Sequence, residues 1–170
     1  MTQPKARCLI LACGNTMRGD DGVGLWLAEW AERRFADQPG VRIIADHQWT
    51  PELAEDVARA QSVLFIDCTL DTAPGSLHLT DVEPAAEGQG INTHHQNAAE
   101  LLALSRDLYH AVPMNAVLLT IGAGSIEFGE EFSDAVKAAL PVACKMIEET
   151  VLWLLNAPPP DRVDQKTPES

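Results

Sequence analysis

An α/β sandwich of three layers, with a central and largely parallel five-stranded sheet, is the fold class this sequence predicts. Two observations carry that expectation. Uninterrupted apolar runs at residues 6–13 (ARCLILAC), 62–67 (SVLFID) and 115–122 (NAVLLTIG) have the character of strands buried on both faces. Segments with helical apolar spacing lie between the strands, and such alternation builds helices onto both faces of a parallel sheet.

The elements follow in order. Residues 6–13 form the first strand. Residues 22–35 place Val23, Trp26 or Leu27, Trp30 and Phe35 at helical spacing, with Glu29, Glu32, Arg33 and Arg34 mainly between them. Residues 41–46 (VRIIAD) are the second strand. Thr50-Pro51-Glu52 then has the order of a helix start, with an N-cap residue, a first-turn proline and an acid at the positive helix end. That helix is expected to run to about Ala60. The third strand, 62–67, ends at Asp67. After a turn at Pro74-Gly75, residues 76–82 alternate as a half-exposed edge strand does. Residues 83–92 are loop by composition, and 95–106 are a helix burying Ala98 or Ala99, Leu101, Leu102 and Leu104. The fifth strand is 115–122. Ser133-Asp134 opens the last helix, which reaches about Leu155 and is expected to break or kink at Pro141. One α/β domain therefore spans 1–156, and the proline-rich tail 157–170 is expected to be disordered.

Bulk properties exclude several classes. With 170 residues, 46% of them hydrophobic and 22% charged, the chain has the composition of one globular domain. The N-terminal apolar run ends in Gly14-Asn15, without a cleavage site of small residues, and nothing approaches a membrane span of about 20 residues. A net charge of −13 disfavours nucleic acid and anionic membranes as partners and suits a cationic one, a metal ion included. The cysteines (Cys8, Cys13, Cys68 and Cys144) form no C-x-x-C pair and sit in apolar surroundings, as reduced thiols of a cytoplasmic protein do.

Ligands of open α/β sheets bind beyond the carboxyl ends of the strands. Three polar groups fall there: Asp20-Asp21 after strand one, Asp67 ending strand three, and His94-His95 opening the third helix. Two carboxylates and an imidazole suit a borderline divalent metal, and three protein ligands leave positions open for substrate. The same groups also suit acid–base chemistry. Taken singly, each residue has a plainer role: Asp20 or Asp21 as a helix cap, Asp67 as a turn acid, the histidines as an exposed helix start. The loop GNTMRGDDGVG lacks the G-x-G-x-x-G spacing of dinucleotide sites, and its two acids would repel a pyrophosphate. Neither a P-loop nor a G-x-S-x-G elbow is present.

Jointly these motifs resemble the endopeptidases that mature nickel–iron hydrogenases. Gly14-Asn15 through Asp20-Asp21 to Gly24 resembles that family's G-N-x-x-x-x-D-(D/E)-x-x-G. Phe65-Ile66-Asp67-Cys68 and the later Pro74-Gly75 resemble its I-D-(A/C) strand end and P-G turn. Thr93-His94-His95-Gln96 resembles its helix-opening histidine motif, Gln48 to Leu53 resembles the T-P-E-L stretch of one branch, and the Gly- and Glu-rich segment from Ile121 to Ser133 also fits. The resemblance covers about residues 7–153. It implies a peptidase that removes a C-terminal extension from the hydrogenase large-subunit precursor once nickel is inserted, with nickel delivered by that substrate. By this resemblance Asp21, Asp67 and His95 are the catalytic and nickel-binding residues, with His94 as the alternative histidine. Asp21 stands where some members have the longer glutamate. Two other functions stay open: a non-catalytic metal-binding assembly factor, and a protease of similar fold acting on another substrate such as a spore protein.

Overall fold

A computed structural model describes residues 5–86 and 94–157, the side chains of residues 94–96 excepted. The strands are β1 (Cys8–Cys13), β2 (Val41–Asp46), β3 (Ser62–Thr69), β4 (Leu77–Asp81) and β5 (Asn115–Gly122). The helices are α1 (Val23–Arg34), α2 (Ala54–Arg59), α3 (His94–Tyr109) and α4 (Asp134–Asn156). The sheet order is β2-β1-β3-β5-β4, parallel except for β4, which runs antiparallel to β5 at the edge. The tail expected to be disordered lies, from residue 158 on, outside the described residues.

Side-chain alternation along the buried strands sorts the core into two layers. Cys8, Ile10 and Ala12 of β1, with Leu64, Ile66 and Cys68 of β3, pack against α1 and α4. Leu9 and Leu11, with Val63 and Phe65, pack against α2 and α3. Every residue of β1 and β3 is buried, so neither strand shows a polar face and both read as continuous apolar runs.

Several boundaries differ from expectation for identifiable reasons. Asp20 and Asp21 sit in a short 3-10 turn, Gly19–Gly22, ahead of α1 rather than capping it; the N-cap position is Gly22, and no side chain caps the helix. A 3-10 turn, Pro51–Leu53, likewise precedes α2, and Thr50 makes no side-chain cap hydrogen bond. Strand β3 continues past Asp67 to Thr69, because β5 pairs with it through Thr69↔Gly122 while pairing with β1 ends at Ala12↔Ile66. Helix α4 runs through Pro141 without interruption. Both Pro141 and Lys137, whose carbonyl loses its partner, lie on the exposed side, where water satisfies that carbonyl. The expected Ser133 cap is present, its Oγ accepting from Val136 N at 3.4 Å. All cysteines are free thiols.

Candidate active site

The sheet topology decides where a cleft can open. From β1 the chain moves outward to β2, and from β3 it moves the other way to β4 and β5. The order therefore reverses between β1 and β3, and a crevice forms at the carboxyl ends of that pair. A cavity of about 700 Å³ lies there, with Cys13, Gly14, Asp21 and Asp67 among its lining residues. His47, Gln48, Trp49 and Pro51, following β2, line it too, as do Asn97, Glu100, Leu101 and Leu104 of α3.

Asp67 reaches the cavity by strand register. It continues the alternation of Val63 and Phe65, so its side chain leaves on the α2 and α3 face just where that core layer ends. It is 4% exposed, and its Oδ1 accepts from Cys68 N at 2.8 Å. The Cys13 thiol is hydrogen-bonded to the same carboxylate. Burial, then the charge of Asp67, push the Cys13 thiol pKa upward; burial, then Asp21 and Asp67, push that of Cys68 up to about 12. Both shifts favour the protonated thiol over the thiolate.

Asp21 reaches the cavity by a tight chain reversal. Asn15 N donates to Asp21 O at 3.1 Å, folding the loop back over the end of β1. A Cβ on Gly14 would lie 2.1 Å from Asp21 O, and one on Gly24 would lie 2.3 Å from Cys13 O. Glycine at these two positions is thus required by close backbone approach.

Asp20 points the opposite way. It is fully buried and accepts four hydrogen bonds, from Gly124 N (2.7 Å), Ser125 N (3.1 Å), Ser133 N (2.7 Å) and Ser133 Oγ (2.7 Å). Burial pushes its carboxyl pKa up, but the Ser133, Ser125 and Gly124 donors outweigh that, and the net shift is downward. Ser133 Oγ also caps α4, so one carboxylate ties the loop after β1 to the loop after β5 and to the start of α4.

Of the predicted site residues, Asp21 and Asp67 come together on one cavity. The side chain of His95, like that of His94, lies outside the described residues, although the backbone of both belongs to the first turn of α3. Among the described residues, no group of three or more His, Cys, Asp or Glu side chains is arranged to hold a metal ion. His47 and Glu100 face the cavity and were not singled out by sequence reasoning. His47 directly follows β2, so the strand-end rule already applied to β1 and β3 selects it as well.

Two carboxylates thus line one crevice at the switch point of a doubly wound sheet. The family model of HycI, hydrogenase maturation protease, matches residues 26–150, and the chain belongs to that family of peptidases. It is 26% identical over 154 residues to the hydrogenase expression/formation protein HoxM of Azotobacter vinelandii, covering 88% of this chain and 73% of that one. Among solved structures, the hydrogenase maturating endopeptidase HybD from E. coli superposes with a TM-score of 0.69 at 19% identity, over 86% of this chain and 92% of that one. The nickel–iron hydrogenase maturation protease HycI from Thermococcus kodakarensis superposes with a TM-score of 0.64 at 24% identity, over 87% and 94%. At these identities the superpositions establish the fold.

Proposed function

We propose that this peptidase removes the C-terminal extension of a nickel–iron hydrogenase large-subunit precursor after nickel insertion, and that nickel carried by the precursor is its recognition element. The observation that carries the reading is the pair of carboxylates, Asp21 and Asp67, on one cavity at the β1/β3 switch point. Two carboxylate oxygens with an imidazole suit a borderline divalent ion and leave coordination positions for substrate. In this reading the nickel arrives with the precursor, as part of the substrate.

The third ligand in this reading is His95, with His94 as the alternative.

The chain's own groups supply the rest of the chemistry. Asp67 is oriented at the cavity by Cys68 N and the Cys13 thiol. Asp21, at the mouth of a rigid turn, is placed to take the proton of an attacking water as general base. A divalent ion, when bound, lowers the pKa of a coordinated water from about 16 towards neutrality. Hydrolysis by carboxylates without a thiolate or serine nucleophile gives the aspartic-type character assigned here, and a cytoplasmic location follows from a substrate processed during assembly.

The test is processing of nickel-loaded and nickel-free precursor, read by mass spectrometry of the precursor's carboxyl end. Cleavage of the loaded form alone is expected, and equal cleavage of both overturns nickel recognition. Asp21→Asn and Asp67→Asn should each lower kcat by at least about 100-fold, the lower end for a lost acid–base group. Binding of precursor whose carboxyl end stays intact would instead establish the assembly-factor reading.

A further inference from the structure

Segment 122–134 joins β5 to α4 and carries Ile126, Phe128 and Phe132. Ile126 and Phe132 pack against the core, but Phe128 is 84% exposed. Its backbone is nonetheless fixed. Gly19 N donates to Gly129 O at 2.7 Å, and Gly129 N donates to Met17 O at 2.8 Å. Met17, on the strand-like partner of this bridge, is also exposed. One exposed apolar side chain is ordinary. Two on adjoining hydrogen-bonded segments, latched by a buried carboxylate, are side chains held in water by the fold.

Beside this frame lies a second cavity of about 250 Å³. Leu25, Trp26 and Phe132 supply apolar walls, and Glu29 and Glu130 supply carboxylates. Across segment 122–134 the charged residues are Glu127, Glu130, Glu131 and Asp134, all acidic. An apolar cavity with an indole and two acids fits a long aliphatic stem that ends in a cation: the stem packs on Leu25 and Trp26, and the head meets the carboxylates.

We propose that this rim is the docking surface for the folded body of the precursor, separate from the cleft that takes the cleaved segment. A lysine or arginine of the precursor enters the Glu29–Glu130 cavity, and Phe128 enters an apolar depression next to that basic residue. The inference rests on the proposed precursor as substrate. It also explains why the frame is rigid: Gly19, which it grips, lies two residues from Asp21, so docking fixes the distance between the precursor body and the cleft.

The experiment measures the Kd for nickel-free precursor, which is expected to stay uncut, and measures processing with nickel-loaded precursor, both with the cleft residues unchanged. Phe128→Ala and the pair Glu29→Gln with Glu130→Gln should each weaken binding by about tenfold or more, the effect of losing one buried anchor. Both should raise KM while kcat stays within about twofold, since neither touches the cleft. Binding by the parent should weaken between about 50 and 300 mM NaCl, and the Glu29/Glu130 variant should lose most of that dependence. Unchanged Kd in both variants overturns the docking surface, as does a fall in kcat with KM unchanged. Weakened binding in the variants while wild type leaves the precursor uncut keeps the surface and overturns the proteolytic reading for this precursor; absence of both binding and cleavage overturns both.

Discussion

Replacing Asp20 by asparagine keeps the side-chain shape and removes the charge. In the folded chain Oδ2 accepts from Gly124 N, Ser125 N and Ser133 Oγ, and Oδ1 accepts from Ser133 N. An amide can accept at only one of these positions. With its oxygen at Oδ2, the NH₂ group faces Ser133 N, donor against donor; with its oxygen at Oδ1, it faces Gly124 and Ser125. At least one charge-assisted hydrogen bond is lost, worth about 1.5–3 kcal/mol, and one backbone N–H is left buried without a partner, at about 1–3 kcal/mol. The sum is about 2.5–6 kcal/mol. At about 2–4 °C per kcal/mol for a domain of this size, Tm should fall by about 5–24 °C. Urea titration with thermal melts by circular dichroism reads both quantities. The sign of the pH effect follows from the depressed carboxyl pKa. Its stabilisation is complete above the unfolded value of about 3.9 and is lost as pH falls through the folded value, so wild type should lose stability below about pH 4 more steeply than Asp20→Asn. A loss under about 1 kcal/mol, or parallel acid limbs for the two proteins, would refute the reasoning that this carboxylate holds the two loops together.

Gly24→Ala should lower Tm by about 6 °C or more, because a Cβ there lies 2.3 Å from Cys13 O and relieving such a contact costs about 3 kcal/mol; a variant melting at the wild-type temperature would mean that the first turn of α1 does not press on β1. His94→Ala and His95→Ala, assayed separately on nickel-loaded precursor, should differ in kcat by at least about 100-fold, with His95→Ala the poorer enzyme; the reverse order makes His94 the ligand. Alkylation of the native protein by iodoacetamide at pH 8 should spare Cys8, Cys13 and Cys68, all buried, and label Cys144 alone; mass mapping of a label on Cys13 would show that the cleft floor opens.

The sheet was legible because its central strands are buried on both faces and so read as apolar runs of strand rather than helix length. Asp21 was singled out by the resemblance, and it lines the cavity. The partners of Asp20 were not legible, since they lie 104 to 113 residues further on and no local pattern announces them. A helix cap was the nearest partner that sequence offered, and the long-range latch displaced it. Pro141 misled for a related reason: its effect depends on whether the freed carbonyl faces core or water, and that is decided by α4's docking against the sheet. His47 lies one residue past β2, and no sequence motif marks it.

The latch makes two distant stretches of chain mechanically one part. Segment 14–24 carries a cleft carboxylate, segment 122–134 carries the exposed phenylalanine, and Asp20 bolts one to the other. Neither can be swapped alone without leaving donors or a carboxylate stranded in the interior. A graft intended to redirect this scaffold to a different precursor would therefore have to transplant both stretches as a matched set, with Ser133 included at the far end.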